Sequence, residues 1–139
     1  MEFRDLKSQY LFQKNDIDKQ IQEAIDSTAF ISGKKVKELE DCLAEYVGVN
    51  HCISCANGTD ALELSLMTLG VGRGDAVFVP DFTFFSSGET VATVGATPIF
   101  VDIDEKTFNI SIESLNNAIK FVKEKTELIP RVIIAVDLF

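Results

Sequence analysis

The chain has 139 residues, a formal net charge of −9 and 46% hydrophobic residues, enough apolar content for a domain with a real core and too much for a disordered chain. The acidic balance argues against nucleic acid or an anionic membrane as partner. No apolar run reaches the length of a membrane span, and the opening MEFRDLKSQY lacks a signal-peptide core, so the expected location is the cytoplasm.

In chain order, Ile17, Ile21, Ala24 and Ile25 recur at helical spacing and predict a helix over 16–27. Val36, Leu39, Leu43 and Tyr46 predict a second over 35–47, with Gly33 in the turn between them and Lys34, Lys35 and Lys37 on its solvated face. Residues 52–56 read as a short apolar strand. A helix over 59–69 follows, with Leu62, Leu66 and Leu69 as its stripe, and Gly70-Val-Gly-Arg-Gly74 ends it. Residues 76–80 form the next strand. Residues 84–94 read as a helix weakened by Gly88 and by β-branched and hydroxyl residues. Residues 97–101 are a strand, Ser111 caps a helix reaching 125, and Pro130 leads into a continuous apolar strand over 131–137. The expected organisation is amino-terminal helices over 1–50 and a β/α region over 51–139. Strands alternating with helices imply an α/β fold, a mostly parallel sheet with helices on both faces, and continuous apolar strands fit a sheet buried on both sides. The last strand runs into the end of the chain, where a parallel sheet needs another crossover. The expectation is therefore the front part of something longer.

Several stretches carry candidate chemistry. Asn57-Gly58-Thr59-Asp60 stands where a strand meets a helix. Asn57 and Thr59 are both good helix caps, and a helix N-terminus with a glycine also attracts phosphate; spacing alone puts the cap first. Cys52-Ile-Ser-Cys55 lies in the predicted strand rather than at a helix start, so it reads as a pair of buried thiols, and all three cysteines, Cys42 included, read as free. Gly70, Gly72 and Gly74 follow a helix and precede a strand, the reverse of a dinucleotide-binding order, and read as a helix stop. Asp102-Ile-Asp104 after a strand resembles the metal site of many nucleotide-sugar glycosyltransferases, but two turn-forming aspartates are the simpler reading. Asp81-Phe82-Thr83-Phe84-Phe85 follows a strand end, where open α/β sheets bind ligands. An aromatic there can stack on a flat ring, but from the residues alone Phe82, Phe84 and Phe85 read first as core.

Taken together, residues 54–110, SCANGTDALELSLMTLGVGRGDAVFVPDFTFFSSGETVATVGATPIFVDIDEKTFNI, are similar in order and spacing to the pyridoxal-phosphate-dependent sugar aminotransferases of the DegT/DnrJ/StrS type. Phe30-Ile-Ser-Gly33 and Val36-Lys-Glu-Leu-Glu40 fit the same family's opening. Within the family, the chain most resembles enzymes that aminate C3 of a keto uronic acid on a UDP-sugar. The resemblance implies the front part of the large domain of a fold-type-I aminotransferase working as a homodimer. It implies that Gly58, Thr59 and Asp60 hold the phosphate of pyridoxal 5′-phosphate, that Phe84 stacks on its ring, and that Phe30 lies near the sugar. It also implies glutamate as amino donor and a UDP-linked keto sugar as acceptor, for surface polysaccharide synthesis, with no metal. No lysine here matches the family's Schiff-base lysine motif, so this chain alone is expected to be inactive. Three rivals stay open: a dehydratase of the same family, a non-catalytic phosphate-binding module, and a metal-dependent glycosyltransferase.

Overall fold

A computed structural model describes residues 4–138. The chain divides into two compact units, residues 1–54 and 55–139.

The first unit is helical. Helix α1 spans Leu6–Ser27, ten residues longer at its start than the apolar pattern predicts. Asp5 provides the reason: its carboxylate accepts from the Ser8 N–H at 2.9 Å and the Ser8 hydroxyl at 2.6 Å, and so caps a helix whose first turns have no clean stripe. Farther along, Lys14 pairs with Asp18, which also accepts from the Tyr10 hydroxyl. Helix α2 spans Lys34–Val47. A Cβ at Gly33 would collide with the Ala29 carbonyl oxygen, so the turn between the helices requires glycine on steric grounds. Lys34, Lys35 and Lys37 do form a solvated face, paired with Glu38, with Glu23 and Glu38, and with Asp41. Neither helix buries a single residue.

Residues 52–56, expected as a strand, join no sheet among the described residues. An apolar run becomes a strand only where a ladder partner exists, and no strand among the described residues pairs with it. Instead Glu40 Oε1 accepts from both the N–H and the hydroxyl of Ser54, each at 2.9 Å.

The second unit is the α/β layer structure. Helix α3 spans Gly58–Thr68, β1 Asp75–Pro80, α4 Ser86–Thr93, β2 Thr97–Val101, α5 Ile112–Lys125 and β3 Ile129–Ile133. The strands form a parallel sheet in the order β2-β1-β3. Strand β1 is central, and its alternating side chains serve two cores. Val77 and Val79 pack with Leu66, Val71, Val91 and Ala96 on the α3/α4 side, while Ala76 and Phe78 pack with Val101, Leu115 and Val122 on the α5 side. Burial on both faces holds for β1 alone. Strands β2 and β3 flank it, and Phe100, Ile129 and Ile133 stay exposed. Strand β3 also begins earlier and ends sooner than expected. Pro130 lies inside it, and the register slips there, with Ala76 opposite Pro130 but Val77 opposite Val132; a proline has no N–H to give the ladder.

Helix α3 stops on a Schellman pair. Gly70 N–H donates to Met67 C=O and Val71 N–H to Leu66 C=O, both at 3.0 Å, around Gly70 at φ +68°. Leu66 and Val71 meet in the core. The glycine-rich stretch is thus a helix stop and turn, as its order in the sequence predicts.

Candidate functional site

Helix α3 leads through the Gly70–Gly74 turn into the amino end of β1, and α4 starts just beyond the carboxyl end of β1. The two helices pack on one face of the sheet. Their N-termini therefore look toward the carboxyl edge of the strands, where open α/β sheets receive ligands. That edge brings together the Asn57–Asp60 turn and the Asp81–Phe85 loop. Phe30 belongs to the first unit; it is 68% exposed and lines a groove of about 340 Å³ with Ala24, Ala29 and Val36.

At the turn, Asn57 is the cap: its Oδ1 accepts from Asp60 N–H at 2.9 Å, and its carbonyl accepts from Ala61 N–H at 3.1 Å. Of the backbone donors in the first helical turn, Asp60 and Ala61 are thereby engaged. The N–H groups of Gly58 and Thr59 precede the first intrahelical bond and remain available. Thr59, half-buried, carries a hydroxyl beside them. Gly58 is the informative residue. Its φ lies outside the left-handed region, and a Cβ built on it would meet nothing within 4 Å. Neither backbone conformation nor packing calls for glycine here, although glycine in a helix is less stable than alanine by roughly 0.5–1 kcal/mol. What a side chain would obstruct is close approach from outside.

The Asp81–Phe85 loop is fixed at several points. Asp81 N–H donates to Val101 C=O at 3.0 Å, tying the loop to the end of β2. The Thr83 and Ser87 hydroxyls lie 2.8 Å apart. The Phe82 ring packs on Phe108, centroids 5.6 Å apart and planes tilted by 36°. The carbonyl of Phe84 accepts from Ser87 N–H, and that of Phe85 from the N–H groups of Gly88 and Glu89. These bonds start α4 at Ser86, two residues later than predicted, because Phe84 and Phe85 are used in its entry turn. The Phe84 side chain is nonetheless 75% exposed. The Phe84 ring is therefore not a core contact, and its face is open to a planar partner. Helix α4 lies close to the sheet through its small residues, Ser86, Ser87, Gly88 and Thr90, all buried, with Thr90 Oγ1 donating to Ser86 C=O at 2.8 Å. The features that weakened the helix in the sequence are thus its packing face. A Cβ at Gly88 would stand 3.1 Å from the Phe100 ring, which closes one side of a groove of about 450 Å³ lined also by Phe84, Phe85 and Pro98.

The competing motifs do other work. Asp104 accepts from the N–H groups of Lys106 and Thr107 and from the Thr107 hydroxyl, which hold its carboxyl below the usual carboxylate range. Asp102 Oδ1 accepts from Ile103 N–H, and its own N–H donates to Ser114 Oγ at 3.0 Å. Both are turn and helix-junction residues, and no metal-binding cluster forms among the described residues. The CxxC pair corrects an expectation: Cys55 is exposed and Cys52 half-buried, because the segment that was to bury them joins no sheet among the described residues; Cys42, on α2, is exposed too. Cys55 Sγ donates to Asn57 C=O at 3.2 Å. Sequence reasoning missed Ser87 and Phe108 as supports of the loop; the i, i+4 spacing of Thr83 and Ser87 is the one local signal, and nothing in sequence links residues 82 and 108. No helix among the described residues is long and apolar enough to cross a membrane.

Comparison with known proteins gives a consistent result. Residues 12–139 match the model of the DegT/DnrJ/EryC1/StrS aminotransferase family. The UDP-2-acetamido-2-deoxy-3-oxo-D-glucuronate aminotransferase of Pseudomonas aeruginosa is 50% identical over 119 residues, 86% of this chain and 33% of that protein. A DegT DnrJ EryC1 StrS aminotransferase from Brucella abortus superposes with a TM-score of 0.95 at 46% identity, covering 99% of this chain and 37% of the other. The PLP form of a putative sugar aminotransferase, Spr1654 from Streptococcus pneumoniae, superposes at 0.66 with 39% identity over 71% of this chain and 26% of the other. The chain thus spans about a third of the length of the relatives it matches.

Proposed function

This chain belongs to the DegT/DnrJ/EryC1/StrS aminotransferase family, and on that premise we propose that it is the front part of the cofactor domain of an enzyme that transfers an amino group to the keto group of a nucleotide-linked sugar. The cofactor in this reading is pyridoxal 5′-phosphate, which when bound supplies an electron sink for moving the amino group between donor and acceptor. The observation that carries the assignment is Gly58, a helix-opening glycine that neither its backbone angle nor its neighbours require, beside two N–H groups without a partner. A phosphate accounts for both, since it needs close backbone approach and donors at the positive end of a helix. Thr59 adds its hydroxyl to the same anion. Asp60, its N–H already held by Asn57, keeps the turn in shape. Phe84 stacks on the cofactor ring from a loop tied to β2 and α4.

The name of the 50% identical Pseudomonas aeruginosa relative favours a UDP-linked 3-keto uronic acid as acceptor. Phe30 is assigned to the sugar side of the site. Glutamate as donor, a homodimer and a role in surface polysaccharide synthesis rest on the resemblance, and a cytoplasmic location is proposed with them. The lysine that bonds the cofactor is assigned to the part of the family fold that follows these residues. Titration of pyridoxal phosphate into the full-length apoenzyme, followed by absorbance, tests the proposal: a new cofactor band is expected, and its absence from a folded protein would sink the reading.

A further inference from the structure

We propose that Phe108 is a positioning residue for the ring-stacking loop, held in an unfavourable backbone conformation so that its ring supports Phe82 and, through it, sets Phe84. Three described non-glycine residues have positive φ, and Phe108 at +58° is the bulky one. A large side chain in the left-handed region is a real outlier, and such outliers persist only where the surroundings over-determine them. The surroundings here do so. Phe108 N–H donates to Asp104 C=O and Asp104 N–H to Asn109 C=O, both at 2.8 Å, while the Asp104 carboxylate gathers Lys106 and Thr107. A bridge between Ile103 and Ile110 closes the turn behind them.

If the turn needed only a left-handed residue, asparagine or glycine would fill the position with less strain. Core burial does not explain the phenylalanine, since Phe108 is 40% exposed. Its ring packs on Phe82, two residues before Phe84. With Thr83 tied to Ser87 and Asp81 tied to Val101, the Phe82–Phe108 contact is the third support of the loop and the one that comes from outside the β1–α4–β2 unit.

The inference rests on the reading of Phe84 as the cofactor's stacking ring, so its test carries a control for that reading. Phe108→Asn, Phe108→Tyr and Phe84→Ala are made in the full-length enzyme, and each is scored by pyridoxal phosphate affinity of the apoenzyme, thermal midpoint, and hydrogen exchange at the amides of residues 83–85. Loss of one aromatic support predicts affinity roughly threefold or more weaker in Phe108→Asn. Its midpoint should be unchanged or higher, because strain is relieved, and exchange in the loop should be faster. Phe108→Tyr should retain the parent values. Unchanged affinity in Phe108→Asn, with Phe84→Ala weakened, overturns this inference and leaves the stacking assignment standing. A loss of affinity matched by a fall in midpoint also overturns it, since that is general destabilisation. Unchanged affinity in Phe84→Ala overturns the stacking assignment itself, and the role of Phe108 falls with it.

Discussion

The two units of this chain are held together by different physics. The second closes a core on both sides of a central strand, with Val77, Phe78, Val79, Val91, Val101 and Val122 essentially inaccessible. The first buries no helix residue at all, and the apolar stripes that identified its helices remain open, with Ile21, Leu39 and Tyr46 at 55%, 54% and 89% exposure. The first is kept helical by local terms instead, namely the Asp5 cap and i, i+4 ion pairs, each worth a fraction of a kcal/mol to about one. An amphipathic stripe identifies a helix; it does not say whether the helix is packed within the same chain. The candidate phosphate turn and the pinned aromatic loop lie in the unit that makes its own core, which is where a rigid site belongs.

That contrast is open to attack by mutation. Phe78→Ala in β1 should cost about 3–5 kcal/mol in urea unfolding followed by circular dichroism, whereas Leu39→Ala in α2 should cost less than about 1 kcal/mol. Equal losses would break the distinction between the units. A smaller effect tests how α3 ends. Gly70→Ala places a side chain at φ +68° and should cost about 1–2 kcal/mol in the same assay. Gly58→Ala sharpens the comparison from the other side. It should leave stability unchanged or raise it by up to about 1 kcal/mol, since the added Cβ meets nothing and alanine is the better helix former, yet it should weaken cofactor binding in the full-length enzyme. A stability loss there would mean that the glycine is structural.

The smallest expected effect concerns Glu40. Its bonds from the Ser54 N–H and hydroxyl hold its carboxyl below the ordinary glutamate value. A carboxyl depressed in the folded state adds stability that is complete above its unfolded value and is lost as pH falls through the folded one. Hydrogen exchange at the Ser54 amide should therefore speed up on acidification through that range, and Glu40→Gln should remove most of the pH dependence. An acid response identical in Glu40→Gln would refute the tie.

Much of the layer structure was legible because helix stripes, glycine stops and the Ser111 cap are local signals. Strand β2 and helix α5 follow their predicted bounds to within a residue. The misreadings share a cause, which is dependence on distant partners. Residues 52–56 look like a strand but find no ladder among the described residues. The 131–137 run looks doubly buried, but it flanks the sheet and slips at Pro130. Helix α4 looks weak because the small residues that lower its propensity are the ones that let it lie close to the sheet. The Asp81–Phe85 loop was legible as the segment beyond the end of β1. Its supports were not, since the Phe82–Phe108 contact spans 26 residues of sequence and the strain at Phe108 exists only in three dimensions.

The central claim, that the N-terminus of α3 both caps itself and holds a cofactor phosphate, is tested most directly by Thr59→Val in the full-length enzyme, with thermal midpoint and pyridoxal phosphate affinity measured on the same preparation. Loss of one hydroxyl donor to a charged phosphate predicts about tenfold or greater weakening of affinity. The midpoint should move little, because Asn57 rather than Thr59 caps the helix. A lowered midpoint with unchanged affinity would contradict the account and leave the turn as a cap alone.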